Sequence, residues 1–63
     1  MKMMIKLKDV MKLTALSKAT IYRFIKEGAF PKQVLLGANS VVWIEEEVVE
    51  WLEEKIAQRD SEA

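Results

Sequence analysis

The apolar residues keep a helical period at both ends of the chain and lose it in the middle. In LKDVMKL, Leu7, Val10 and Met11 recur at helical spacing with Lys8 and Lys12 on the opposite side, which predicts a short amphipathic helix over about residues 7–14. Asp9 lies in its first turn, where a negative charge suits the helix dipole, but the cap position falls to Lys6, a poor capping residue. Ala15 and Leu16 leave room only for a tight turn before Ser17, whose hydroxyl suits the open amides of a second helix over about 18–27. Along that helix Ile21, Phe24 and Ile25 form one stripe, expected to pack on Leu7, Val10, Met11 and Leu16. Gly28 then stops it by taking the left-handed conformation.

Beyond Gly28 the period shortens. Phe30-Pro31 cannot continue a helix and is expected to seal the junction between the second helix and a hairpin. Val34-Leu35-Leu36 and Val41-Val42-Trp43 are β-prone runs around Gly37-Ala38-Asn39-Ser40, the pattern of that hairpin. Ile44, Val48, Trp51, Leu52 and Ile56 then repeat at helical spacing among glutamates, which predicts a third helix over about 45–58 with frayed residues after it. Trp43 and Trp51 both sit at core spacing and are read as packing residues. The first few residues, with Met1, Met3 and Met4, are taken as a frayed end. The expected fold is mainly α with a small β-hairpin, a single domain over 1–63 with an ordered core of about 5–58.

Composition narrows the chemistry. A chain of 63 residues buries only about 60% of the surface its unfolded form exposes, enough for one small core. It has no cysteine and no histidine, so disulfides and the usual zinc ligands are absent, together with the commonest nucleophiles and general bases. Neither an enzyme nor a cofactor or metal site is expected. No run of about 18 apolar residues and no signal-peptide pattern appears, so no membrane association and a cytoplasmic location are expected.

Charge adds more than its net value of zero suggests. Residues 1–44 hold eight Lys and Arg against Asp9 and Glu27, a balance of +6, whereas residues 45–63 hold eight acids against Lys55 and Arg59, a balance of −6. Such asymmetry points the basic part at a polyanion. Two helices joined by a tight turn are the helix-turn-helix arrangement, whose second helix enters the DNA major groove, and a hairpin after them gives a winged layout. On the side of the second helix away from its apolar stripe stand Lys18, Tyr22, Arg23 and Lys26, interrupted only by Glu27. Arg and Lys neutralise phosphates or read guanine edges, Tyr bonds phosphate or lies on a sugar, and Thr20 suits a phosphate or a thymine methyl. Lys18, Thr20, Tyr22 and Arg23 are therefore the expected groove contacts. Lys26, Lys8 and Lys12 are assigned to phosphates, and Asn39 and Ser40 to neutral hydrogen bonds from the wing.

The run LKDVMKLTALSKATIYRFIKEGAFPKQVLLG followed by VVWIEEEVVEWL resembles the AlpA family of prophage-associated regulators, related to excisionases and to the DNA-binding heads of MerR-type proteins. Its most specific parts are Ser17 to Arg23, Glu27 to Pro31, and Val41-Val42-Trp43 ahead of an acidic helix with a second Trp. The resemblance implies a winged helix-turn-helix, sequence-specific binding to double-stranded DNA, and regulation of prophage or mobile-element genes. Members commonly carry Arg in the turn after Leu-Gly, where this chain has Ala38-Asn39-Ser40. Two other functions use the same elements. An excisionase-type factor would bend attachment-site DNA and steer an integrase, and an interaction adaptor would dock its acidic last helix on a partner. Expected partners besides DNA are a second copy, RNA polymerase or integrase.

Overall fold

The computed structural model describes residues 1–62. Its elements run β1 (Met4–Lys6), α1 (Leu7–Thr14), α2 (Lys18–Lys26), β2 (Val34–Gly37), β3 (Ser40–Ile44) and α3 (Glu45–Glu62). The three strands form one antiparallel sheet in the order β1-β3-β2. Mainly helical with a winged hairpin, the architecture is the one expected from the sequence.

One departure lies at the N-terminus. Met4, at the end expected to fray, joins Ile5 and Lys6 in an unforeseen strand, β1, which pairs along β3 with Met4 opposite Ile44, Ile5 opposite Trp43 and Lys6 opposite Val42. Two contacts fasten it further: the Glu45 N–H donates to the Met3 carbonyl at 2.9 Å, and Lys2 Nζ donates to Glu46 Oε1 at 2.7 Å. The cause is tertiary: Ile5 is buried against Trp43 and draws its neighbours into register. A second departure lies at the other end, where α3 stays helical through Glu62 instead of fraying after about 58. Its apolar repeat is also only partly inward, because Val48 is buried and Trp51 and Leu52 are half-buried, while Ile56 is 51% exposed. Ile44 belongs to β3 and not to that helix.

Ile5, Val10, Ile21, Phe30, Trp43 and Val48 make the core, one or two residues from each element that surrounds it. Leu7, Met11, Leu16, Phe24 and Ile25 pack against them, so the stripe of α2 meets α1 as its spacing required. Each fully buried side chain of this size stabilises by about 1.5–3 kcal/mol. Trp43 is inaccessible to solvent and donates its indole N–H to the Pro31 carbonyl at 3.2 Å. Trp51 donates to the Ala29 carbonyl at 2.6 Å and meets the Phe30 ring edge-on, with centroids 4.8 Å apart. Phe30 and Pro31 thus close the passage from α2 to the hairpin, as expected. The hairpin turns at Ala38-Asn39 with an irregularity between Leu35 and Gly37, and it leaves Leu35 and Leu36 exposed. Among the described residues no helix is long and apolar enough to cross a membrane.

Candidate nucleic-acid interface

The turn between α1 and α2 is built from three local devices. Ala15 takes the left-handed conformation at φ 60° and returns its N–H to the Met11 carbonyl at 2.8 Å, ending α1. The Thr14 hydroxyl donates to the Val10 carbonyl at 2.8 Å and accepts from the Leu16 N–H at 3.2 Å. Ser17 Oγ accepts from the Thr20 N–H at 3.2 Å, the expected N-cap, and donates to Thr20 Oγ1 at 2.9 Å. At the other end Gly28 adopts φ 75°, with the Gly28 N–H on the Ile25 carbonyl and the Ala29 N–H on the Phe24 carbonyl. Those two bonds make a Schellman closure. Both ends of α2 are thereby fixed, and so is the direction in which its outer face points.

With Ile21 fully buried and Phe24 and Ile25 half-buried, the turn angle of the helix puts Ala19, Arg23 and Lys26 at the centre of the opposite side, all exposed. Lys18 is exposed in the first turn. Tyr22 stands at the boundary, half-buried, its ring edge-on to Trp43 with centroids 6.1 Å apart. Thr20 occupies the other boundary, half-buried, with its hydroxyl already engaged by Ser17. The Arg23 guanidinium lies 5.4 Å from the Phe24 ring centroid, a cation–π contact that limits its rotamers while leaving it in solvent. Lys8 and Lys12 are exposed one turn apart on α1. Asn39 and Ser40 are exposed at the hairpin tip.

The fold therefore gathers Arg23 and Lys26 on one helix face, leaves Lys18 exposed in the first turn nearer the apolar side, and carries Lys8 and Lys12 on the helix packed beside it. It moves Tyr22 and Thr20 to the margins. Ala19 gives no chemical signal in the sequence because it carries no charge or donor, yet it sits at the centre of the outward face. Counting 100° per residue from the buried Ile21 is the signal that finds it. Elsewhere, a shallow groove between residues 28–34 and α3 is lined by Phe30, Val34, Ile44 and Trp51, with Glu47, Glu50 and Glu54 and the two cations Lys32 and Lys55 along it.

One charge pair shifts the titration of both its members, and it lies away from α2. The Lys2 hydrogen bond and charge hold the Glu46 carboxyl below its ordinary value of 4.5, and the same bond, with the glutamate's charge, raises the Lys2 ammonium above 10.5. Both groups are open to solvent.

Comparison with known proteins shows the family. The chain is 47% identical over 51 residues to uncharacterized protein ORF88 of Enterobacteria phage P4, covering 81% of the chain and 58% of that protein. It is 37% identical over 57 residues to the DNA-binding transcriptional activator AlpA of Escherichia coli strain K12, covering 81% of each. The match to the family described as prophage CP4-57 regulatory protein (AlpA) extends over residues 3–56, from the residue before β1 into the middle of α3. The chain belongs to the AlpA family.

Proposed function

We propose that this protein is a sequence-specific double-stranded DNA-binding regulator of prophage or mobile-element transcription, with α2 lying in the major groove. The observation that carries this reading is the outward face of α2. Arg23 and Lys26 flank the small Ala19 there with no acid among them, while the glutamates are concentrated on α3. A small residue at the centre lets the helix backbone approach the base edges, and an alanine methyl suits contact with thymine. Arg23, already held by Phe24, suits bidentate pairing with guanine. Lys18, Lys26, Lys8 and Lys12 take phosphates, Tyr22 offers its hydroxyl at the groove margin, and Thr20 contributes its methyl and the free capacity of its hydroxyl. Asn39 and Ser40 make neutral backbone contacts from the wing. The AlpA protein of Escherichia coli, described as a DNA-binding transcriptional activator, supports the regulatory part of the reading.

Titration with a duplex at several salt concentrations, followed by backbone amide shifts, tests it. Four or five cations on phosphates predict that log K falls against log salt with a slope of about −4, with the largest shifts in residues 17–27. A flat salt response, or shifts confined to α3, would sink the DNA reading.

A further inference from the structure

The core side of α3 ends at Leu52, and every described residue from Glu53 to Glu62 is exposed. Ten residues thus stand as exposed helix with little support from the body of the protein beyond Lys55, and an isolated helix of that length is marginal in water. The exposed apolar residues of α3 are not scattered. Val49, 38% exposed, and Ile56, 51% exposed, lie with the half-buried Leu52 on one stripe beside the core-facing side. Glu45 and Arg59 extend that stripe at either end, so that positions 45, 49, 52, 56 and 59 follow the alternating four-and-three spacing of a coiled-coil seam.

The seam is complementary to itself in one orientation. If two copies of α3 run antiparallel about a two-fold axis at Leu52, Leu52 meets Leu52, Val49 meets Ile56, and Glu45 meets Arg59 at both ends. A parallel pairing would instead oppose Glu45 to Glu45 and Arg59 to Arg59. Among the described residues Arg59 pairs with its neighbour Asp60, at 2.9 Å in the open, an ion pair that costs little to exchange. We propose that this face is a homodimer interface, occupied by α3 of a second copy in antiparallel register. Three apolar residues a side place it at the small, transient end of protein interfaces, below roughly 1,200 Å². A two-fold contact there is isologous, so each charge pair occurs twice.

Because the chain has no cysteine, a single introduced thiol reports only contacts between copies. Under mild oxidation Leu52→Cys should form disulfide dimer at least tenfold faster than Glu54→Cys, which lies off the seam. Equal rates, or faster coupling at position 54, would overturn the proposal. Sedimentation velocity on the intact chain gives a second readout that does not depend on replacing Leu52. Glu45→Arg and Arg59→Glu should each weaken self-association by about tenfold, because each places like charges at both ends. The double exchange, and an equimolar mixture of the two single variants, should restore it. Wild-type protein that stays monomeric up to about 1 mM, or single variants that associate as the wild type does, would show that the face has another occupant. Neither measurement contains DNA, so the outcome is independent of the proposed function.

Discussion

Arg23 and Ala15 show how much single positions contribute. Arg23 is exposed yet restrained by Phe24, and Lys12 is exposed on the preceding helix. If Arg23 reads a base, Arg23→Ala should cost about 1–3 kcal/mol on the cognate site and much less on random duplex. Lys12→Ala should weaken both alike, and competition titrations with the two DNAs separate the cases. Ala15 carries a cost of a different kind, since its left-handed backbone brings a Cβ against the carbonyl at φ 60°. Ala15→Gly removes that clash and should raise the stability by up to about 1 kcal/mol, the lost strain being partly offset by a freer unfolded chain. A denaturant midpoint that falls would show that the turn needs the methyl group. The aim of Tyr22 was legible only in part. Its spacing placed it at the edge of the stripe, but its ring partner Trp43 lies 21 positions further on, and no local pattern links the two.

At the level of elements, β1 and the start of α3 are joined by the Lys2–Glu46 pair and the Glu45–Met3 hydrogen bond. The depressed Glu46 carboxyl stabilises above its ordinary 4.5, and that contribution is lost as pH falls through its lower folded value. The raised Lys2 ammonium acts oppositely, contributing below 10.5 and fading as pH rises through its higher folded value. The clip therefore holds across the neutral range and opens at both extremes. Amide shifts of residues 3–6 should step as pH falls below 4.5, and Lys2→Ala should shrink the step and move it up toward 4.5. The effect is small because both groups are solvated. Helices α1 and α2 were legible to within a residue or so because their period, the Ser17 cap and the Gly28 stop are local signals. Strand β1 was not, because three residues show no period and its order comes from Ile5 opposite Trp43, a partner 38 positions away. The end of α3 was missed because Arg59 to Glu62 offer no apolar position. The repeat also runs on to the exposed Ile56, because a helical repeat counts apolar positions without knowing where the body of the protein stops.

On the scale of the whole molecule, positive charge lies with the helix-turn-helix and negative charge with α3, across a body extending 44 by 27 by 19 Å. Such a dipole speeds the approach of a polyanion to one end and turns the other away from it. The hairpin tip lies between these extremes in charge, since Ala38, Asn39 and Ser40 carry none. Adding one cation there tests whether the wing touches the backbone. Asn39→Arg should raise affinity for every duplex and steepen the salt slope by roughly 0.9 without improving specificity, because phosphates carry no sequence. If neither affinity nor slope changes, the tip does not reach DNA, and the chain works through its two helices alone.

The edge-on contact of Tyr22 with Trp43 also gives the protein an optical readout of its own. Trp43 is sealed from solvent, so its emission is blue-shifted in the folded state and moves to the red only when the core opens. Tyr22, at the margin of the outward face and close enough to pass excitation to that indole, couples events on the helix surface to the same signal. With Trp51→Phe removing the second indole, the excess of emission excited in the tyrosine band over that excited in tryptophan alone would follow engagement of α2, and excitation of tryptophan alone would follow the integrity of the fold. Surface and core could then be watched separately in one unlabelled sample.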